Sequence, residues 1–416
     1  MESVRPINRR YVITTSDVVS ILLAVVPVLN IYMTPIPVLT LGEIVMFILT
    51  GILFSTKKPM NYLACQNRLL LFTIYGLIVT FVSTVINLSI VKELPYKETI
   101  AFVIYIILLI VLGRRIDIRK FLYYYEKLAF VFAIFLIFQF FIHLLTGRWI
   151  PGLIPGIESS YGRSTTLLIQ RMERASSVFK EPAHYAQYVA IPFITTLFRP
   201  NRKMQDNIRI VIYILSLAFT VSGNGLLVIA VTGAMYMIHI GKTKGLVRGL
   251  ALLTFLALVF VYLANTNATF VSLLGRVTEI QGTNAARYSG YIRVLRGYLV
   301  YWSFNIFAKI FGIGIGLYGD YSLHYAFETL TSRTVLELDY INGFQYYLVS
   351  TGLIGVVIYS SLFMYALKNR EDAVKCVALV FLVLILISGM YRGPAWLFFM
   401  IIMLTLPEGE KSIYNR

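Results

Sequence analysis

Charged residues are scarce in this sequence, and acidic residues are the scarcest of them. Of 416 residues only 14% are charged, with 20 Asp and Glu against 37 Lys and Arg. An average soluble chain is about 25% charged. Hydrophobic residues make up 58% of the chain, and the mean hydropathy is +0.75. This balance excludes an ordinary soluble globular protein and predicts an integral membrane protein.

Metal-binding and disulfide-forming residues are also few. The sequence has 2 cysteines and 4 scattered histidines, with no His/Cys cluster at metal-ligand spacing, so we expect no metal and no cofactor. Cys65 and Cys376 both fall on the side assigned below to the cytoplasm, and no disulfide is expected. The basic start of the chain is not followed by a small-x-small cleavage site, which predicts that the first helix stays in the membrane.

Apolar runs that approach the length of a bilayer crossing recur along the chain. A crossing helix needs about 20 apolar residues. The predicted spans are 17–33, 37–56, 69–90, 98–113, 126–146, 184–198, 208–221, 225–240, 249–265, 343–366, 373–390 and 394–407. The short spans 184–198 and 208–221 are candidates for broken or re-entrant helices. The predicted fold class is an all-α polytopic membrane protein with about twelve transmembrane helices, in which residues 1–416 form one integral membrane domain.

The basic residues are distributed as an in-and-out ladder requires. Clusters such as Arg114–Arg115 and Arg202–Lys203 fall in alternate connections, whereas the connections between them are close to neutral. Cytoplasmic loops carry the excess of Lys and Arg. We therefore expect both termini in the cytoplasm. The net charge of +17 then reflects topology, and nucleic acid is not an expected partner.

Two connections, 147–183 and 266–342, are much longer than the others and are expected on the outer face. Long loops in a compact fold are usually functional or disordered. These two are rich in Tyr, Trp and Phe, which favours folded segments with short helices at the membrane interface. They are therefore the predicted location of the functional site.

These outer loops prefer Arg to Lys on the side where positive charge is normally disfavoured. The candidate residues are Arg163, Arg171, Arg174, Arg287, Arg293 and Arg296. A guanidinium can hold a phosphate through two parallel hydrogen bonds. The set predicts an anionic, phosphate-bearing ligand at the outer membrane surface. The alternative is that the arginines pair with loop carboxylates or with lipid headgroups.

The segment RASSVFKEPAHYAQYVAIP, from Arg174 to Pro192, is the most informative stretch. Pro182 suits the first position of a helix, and the Glu181 carboxylate suits the positive end of the helix dipole. That structural role competes with a functional one, in which Glu181 acts as a general base or orients Arg174. For His184, core packing is the commoner explanation.

The second loop supplies further candidates. Residues 284–310 are predicted to form an amphipathic helix on which Arg293 and Arg296 share a face. The pair would either clamp a pyrophosphate or extend to headgroups. His324 is a candidate proton carrier. Within the spans, Glu43 is expected about two turns below the outer surface.

Three pieces of the sequence resemble the O-antigen and capsular polysaccharide polymerases (Wzy-type), which are relatives of the O-antigen ligases. They are RASSVFKEPAHYAQYV, IFGIGIGLYGD at 310–320, and NGFQYYLVSTGLIG from Asn342 to Gly355. The layout of twelve spans with two large outer loops agrees with that family. Ligases typically have His directly before the Asn of the third piece, where this chain has Ile341, so the resemblance favours a polymerase.

The resemblance implies glycosyl transfer between two lipid-linked substrates at the outer face of the bacterial cytoplasmic (inner) membrane. One undecaprenyl diphosphate carries the growing glycan and another carries a single repeat unit. Arg174, Arg293 and Arg296 are expected to stabilise the departing diphosphate. Glu181 is the first candidate for the base, and His324, Glu337 and Asp339 are the other candidates. The expected substrate-binding residues are Arg163, Arg171, Arg287, His324 and Asn342. Membrane lipid and a chain-length regulator protein are the other candidate partners.

Two other functions remain open from the sequence. An O-antigen-type ligase would transfer the finished glycan to a different acceptor. A lipid-linked oligosaccharide transporter would place polar residues and broken helices near the middle of the membrane and often shows inverted repeats. Here the ionisable residues cluster in the outer loops and the two halves are not visibly related, which favours the enzyme.

Overall fold

The computed structural model describes residues 13–36, 39–55, 59–91, 95–159, 164–170, 172, 174–243, 289–324 and 341–407. The side chains of 242, 243, 289–294, 322, 323 and 407 are not part of this description. Within these ranges the chain is predominantly helical, as the sequence predicts.

The helices run in chain order from α1 to α15, and two short strands pair near the two ends of the described chain. The elements are α1 (Thr15–Leu29), α2 (Leu41–Phe54), β1 (Asn61–Leu63), α3 (Gln66–Ile86), α4 (Tyr96–Arg115), α5 (Ile118–Thr146), α6 (Thr165–Gln170), α7 (Pro182–Leu197), α8 (Met204–Phe219), α9 (Gly223–Thr243), α10 (Ser289–Ser303), α11 (Ile306–Phe311), α12 (Tyr318–His324), α13 (Gly343–Asn369), α14 (Asp372–Ile387), α15 (Pro394–Leu404) and β2 (Thr405–Pro407).

Five of the described helices are long and apolar enough to cross a membrane, by length and composition. They are α3, α4, α5, α9 and α13. Three shorter apolar helices, α1, α2 and α15, accompany them. The outer surfaces of several helices carry large exposed apolar side chains, such as Ile78 and Phe81 on α3. Such bands are typical of contact with lipid.

Eleven of the predicted spans coincide with described helices, and the span 249–265 lies outside the described residues. The segments 184–198 and 208–221 form α7 and α8, each a single helix. The break lies elsewhere, in α13, where Gly352 has φ 63° and ψ −168°. Within the ranges 147–183 and 266–342 the described residues form the short helices α6, α11 and α12 in addition to α10.

Helices α7 and α15 form the centre of the bundle. Almost every residue of both is buried, from Tyr185 to Leu197 and from Trp396 to Leu404. A helix that is apolar on all sides must be surrounded by other helices. Helix α7 packs against α5, α8, α9 and α14, and α15 packs against α4, α13 and α14.

One end of the bundle carries the two short strands and a group of ion pairs. We call the end that carries β1 and β2 the lower end, and the opposite end, where α7 and α13 begin, the upper end. At the lower end, β1 pairs antiparallel with β2, so the sequence class "all-α" misses a small two-stranded sheet. Nearby, Arg199 pairs with the buried Glu126 and lies 2.6 Å from Asp206 Oδ1, which joins α5, α7 and α8.

Glu43 lies closer to its helix end than the sequence predicts. Helix α2 starts at Leu41, and Thr40 and Glu43 cap it reciprocally, with the Thr40 N–H donating to Glu43 Oε2 at 3.0 Å. The predicted span began at residue 37, whereas the capping box fixes the first turn at Leu41. Glu43 also accepts a hydrogen bond from Tyr105 Oη at 3.1 Å. It is therefore explained by capping and by this contact with α4.

Candidate active site

The N-terminus of α7 carries Glu181 at the upper end of the bundle. Glu181 occupies the capping position before Pro182, yet its side chain makes no capping hydrogen bond. Its carboxylate instead lies 3.7 Å from Lys180 Nζ, and its side chain is 41% exposed. His184 is half-buried one turn further on. Helix capping therefore does not account for Glu181, whose carboxylate lies at the surface of the site.

The segment before Glu181 is fixed to α5 by buried hydrogen bonds. Gln139 accepts from the Ser177 N–H at 2.8 Å and donates to the Ser177 carbonyl at 3.1 Å. Ser177 has a positive φ of 55° and donates through its hydroxyl to the Phe132 carbonyl at 2.8 Å. Gly152 packs so closely on Ser177 that a Cβ would lie 1.9 Å from the Ser177 oxygen. The backbone that leads to Glu181 is therefore held in one conformation.

Arg174 has a structural contact that the sequence did not predict. Its Nη1 donates to the Val221 carbonyl at 3.1 Å. Val221 has a positive φ of 49°, which is unfavourable for a β-branched residue. Arg174 therefore supports the turn between α8 and α9. A role in diphosphate binding stays a prediction for this residue.

The N-terminus of α13 lies at the same end of the bundle as Glu181. Asn342 caps the helix, accepting from the Gln345 N–H at 2.8 Å, and both side chains are fully buried. On the facing helix α10, the Gly297 N–H donates to Gln345 Oε1 at 3.3 Å. A Cβ on Gly297 would lie 2.5 Å from Gln345 Cβ, so only glycine allows this approach. Asn342, predicted to bind substrate, is thus a buried cap.

Arg296 precedes Gly297 on α10 and is only 1% exposed. Burying a guanidinium is costly in free energy unless hydrogen bonds and opposite charge compensate. Arg296 is therefore a buried arginine on the turn of α10 that contacts Gln345 through Gly297. Arg293 lies one turn earlier on the same helix; only its backbone is described. Arg163, Arg171 and Arg287 lie outside the described residues.

The loop between α14 and α15 links α7 to α13. Gln187 of α7 donates through Nε2 to Ser388 Oγ at 3.2 Å, and the Ser388 carbonyl accepts from the Gly343 N–H at 2.8 Å. One residue therefore touches both helices. This loop connects the segments around residues 181 and 342, which are about 160 residues apart in the sequence.

The same loop carries an ion pair and an aromatic stack beside the glycine-rich segment. Arg392 binds Glu98 at the start of α4, with contacts of 2.5 and 3.0 Å. Tyr391 stacks on Tyr346 with ring centroids 4.0 Å apart. Burial alone would lower the pKa of Arg392, but Tyr391 and Glu98 raise it above its ordinary value. Arg392 therefore stays charged at every physiological pH.

The glycine-rich segment 312–317 docks on the break in α13. The N–H groups of Ile313 and Gly314 donate to the carbonyls of Val349 and Ser350 at 3.1 and 2.9 Å. A Cβ on Gly312 would lie 2.4 Å from the Ser350 oxygen, and one on Gly352 would lie 2.4 Å from the Ile310 oxygen. The two segments thus touch backbone to backbone.

His324 lies away from this junction. It ends α12 and is exposed. Tyr321, one turn earlier, forms a hydrogen bond between its Oη and Ser83 Oγ at 3.1 Å, which holds α12 against the upper end of α3. A proton-carrying role for His324 stays a prediction. Across the part of the chain that is described, no three His, Cys, Asp or Glu side chains are grouped as metal ligands.

Sequence reasoning missed several residues that build the junction. Gln187 and Gln345 lie within the resembling segments but were not singled out, and Ser388, Tyr391 and Arg392 lie in no motif. The one available signal was Arg392, an arginine in a short outer connection that is otherwise free of charge. Comparison of the chain with protein-family models and with curated proteins yields no match.

Proposed function

We propose that this protein is a polysaccharide polymerase that joins lipid-linked repeat units on the outer face of a bacterial cytoplasmic membrane. The observation that carries the proposal is a chain of contacts that links the three resembling segments. Gln187 of the first segment contacts Ser388, which also binds Gly343 of the third segment, and the glycine-rich segment packs against Gly352 of that third segment.

The proposed topology places the upper end outside and the lower end in the cytoplasm. Helices α1–α5, α7–α9 and α13–α15 are the proposed crossings, and 249–265 supplies a twelfth. Basic residues such as Arg115, Arg199 and Arg370 lie at the lower ends of these helices. This placement agrees with the excess of positive charge on the cytoplasmic side of membrane proteins.

In the proposed reaction, a hydroxyl of the lipid-linked repeat unit attacks the anomeric carbon of the glycan on undecaprenyl diphosphate. A glycosidic bond forms, the bond from that carbon to the diphosphate oxygen breaks, and undecaprenyl diphosphate leaves with the electron pair. Glu181 accepts the hydroxyl proton. The guanidiniums of Arg293 and Arg296 stabilise the charge that develops on the leaving diphosphate. Arg174 supports this site by holding the turn at Val221.

The direct test uses the purified protein in lipid vesicles with synthetic lipid-diphosphate repeat units. The expected product is a ladder of chains on a gel, with release of undecaprenyl diphosphate. The variants Glu181→Gln and Arg293→Ala should lose long chains while protein level and elution profile stay normal. Arg148→Ala is the matched control, because Arg148 is an exposed arginine of the same outer surface. Normal ladders from both site variants would contradict the assignment.

A lipid-linked oligosaccharide transporter remains the second candidate, and one observation favours it. Transporters often use broken helices near the middle of the membrane, and α13 is broken at Gly352. The same vesicles distinguish the two functions. A transporter would move the lipid-linked unit across the bilayer without lengthening it, whereas a polymerase lengthens chains supplied on one side. A ligase would form product only when a different acceptor is added.

A further inference from the structure

The segment that links α11 to α12 contacts the middle of two long helices rather than their upper ends. The Tyr75 hydroxyl of α3 donates to the Phe311 carbonyl at 3.0 Å. On the other side, Gly312 packs against Gly352 of α13. Both partners lie well inside their helices, so the turn at Phe311 and Gly312 lies deeper in the bundle than an outer loop would.

The helix geometry gives the depth of this contact. Tyr75 lies eleven residues before the end of α3 at Ile86, or about 16 Å at 1.5 Å per residue. Gly352 lies nine residues after the start of α13, or about 14 Å. The hydrocarbon core of a bilayer is about 30 Å thick. The turn at Phe311 and Gly312 therefore lies below the upper ends of α3 and α13 by about half the thickness of the hydrocarbon core.

The chain enters and leaves this depth on the same side. On the way in, Gly297 of α10 contacts Gln345, near the start of α13. On the way out, the Ile315 N–H donates to Thr80 Oγ1 at 2.8 Å, about 9 Å below the end of α3. Gly316 then packs against Glu98 at the upper end of α4. The path descends and returns without crossing.

An irregular backbone is tolerated at this depth only where protein groups satisfy its hydrogen bonds. The four successive N–H groups from Gly312 to Ile315 all have partners. They donate to the carbonyls of Ala308, Val349 and Ser350 and to the Thr80 hydroxyl, at 2.8–3.1 Å. The Phe311 carbonyl accepts from Tyr75. The segment therefore meets the requirement for an irregular turn inside a membrane.

One face of the same element is apolar and exposed. Trp302, Ile306 and Phe307 are 69%, 62% and 71% exposed, and Phe311 is 46% exposed. Lys309 Nζ lies 5.5 Å from the Trp302 ring centroid. A tryptophan and a lysine at the rim of an apolar surface are typical of the membrane interface. This surface continues onto the exposed apolar faces of α3 and α13, such as Ile78 and Val357.

We infer that residues 306–317 form a re-entrant element that enters the membrane from the outer side, and that its face of Trp302, Ile306, Phe307 and Phe311 contacts the acyl chains of the outer leaflet. The partner of this surface is lipid. The inference rests on the depth of the contacts and on the continuity of the apolar surface. It takes the outer side from the proposed topology but does not depend on the proposed reaction, so the reaction and the membrane insertion can fail separately.

The test places single tryptophans in lipid vesicles that contain phosphatidylcholine brominated near the middle or near the top of its acyl chains. Bromine quenches a tryptophan that lies close to it. In a Trp149→Phe/Trp396→Phe background, Trp302 should be quenched best by the shallow bromines. With Trp302→Phe and Phe307→Trp added, the emission should shift to the blue and be quenched best by the deep bromines.

The control is a variant in which Trp149, beside α5 in the first outer loop, is the single tryptophan, and deep bromines should leave it nearly unquenched. Red-shifted, unquenched emission from Phe307→Trp would put the face in water and overturn the inference. Blue-shifted, unquenched emission would mean that another protein chain covers it, which also overturns the inference.

A second measurement does not require a bulky substitution. In a Cys65→Ser background, Phe307→Cys should resist a membrane-impermeant maleimide, whereas Arg148→Cys on the outer loop should react. Equal reaction of the two cysteines in intact vesicles would contradict membrane insertion of this element.

Discussion

Replacing Gly352 with alanine would place a methyl group where the backbone of α11 and the glycine-rich segment lies. The new Cβ would be 2.4 Å from the Ile310 oxygen and 2.5 Å from the Gly312 nitrogen. Both atoms belong to the backbone, so no side chain can rotate away. The conformation of Gly352, at φ 63° and ψ −168°, is in addition almost exclusive to glycine.

The expected cost has two parts. Forcing alanine into this conformation costs about 1–3 kcal/mol. Moving the segment away breaks the hydrogen bonds from Ile313 and Gly314 to α13, each of which contributes about 0.5–1.5 kcal/mol. Together they destabilise the protein by roughly 2–6 kcal/mol. In soluble domains of 150–250 residues each kcal/mol lowers Tm by about 2–4 °C, so a loss of about 2–6 kcal/mol should lower the Tm of Gly352→Ala by about 4–24 °C.

The buried thiol of Cys376 provides the assay, because a thiol-reactive dye reaches it only when the protein unfolds. The measurement is made in detergent, in a Cys65→Ser background, as fluorescence against temperature. Gly51→Ala is the matched control, since Gly51 is also inside a helix but a Cβ there meets no atom within 4 Å. It should leave Tm unchanged or raise it slightly.

The same contact allows a stricter test with a second substitution. Gly312→Ala removes the contact from the other side, where its Cβ would be 2.4 Å from the Ser350 oxygen. The double variant should therefore lose less stability than the two single losses added together. A Gly352→Ala protein as stable as Gly51→Ala, or losses that simply add, would refute the assignment of this contact.

Three further predictions follow from charged and reactive groups. Burial raises the pKa of the Cys65 thiol above its ordinary value of 9.0, so its alkylation should be slow at pH 7 and still be accelerating at pH 9. Cys376 should react only after unfolding, because its thiol is buried. An alkylation rate of Cys65 that reaches its plateau below pH 8 would contradict the raised pKa. Arg199→Ala should cost about 3–5 kcal/mol in the thermal assay, because it leaves the buried Glu126 without its cation. Glu98→Gln, at the partly exposed pair with Arg392, should cost at most about 1 kcal/mol. An equal loss of stability from Arg199→Ala and Glu98→Gln would show that the burial of the carboxylate does not set the cost of breaking its ion pair.

Much of the fold follows from patterns that are local in the sequence. Apolar length and the alternation of basic loops locate the helices, because each helix satisfies its own backbone whatever surrounds it. The starts of helices are also encoded locally, as in the Thr40–Glu43 capping box. The shortness of the spans 184–198 and 208–221 suggests broken or re-entrant helices, but the structure shows one unbroken helix in each segment, α7 and α8. Helix α7 is enclosed by α5, α8, α9 and α14, which its sequence alone does not indicate.

The site was only partly predictable. The sequence singled out Glu181, Arg296 and Asn342, and the structure places them on α7, α10 and α13 at one end of the bundle. The sequence could not show that Asn342 serves as a buried cap or that Arg174 supports the turn at Val221. Such contacts depend on which helices become neighbours, which no local pattern specifies.

The break in α13 explains how the glycine-rich segment and the site are connected. Because Gly352 departs from helical geometry, the carbonyls of Val349 and Ser350 are available to Ile313 and Gly314. The part of α13 above the break is therefore fixed by the glycine-rich segment at its base and by Ser388 and Gly297 at its tip. Its orientation does not depend on the lower helix alone. A change near the middle of the bundle, at Gly312 or Gly352, is thus expected to move Asn342 and Gln345, although neither residue is close to it.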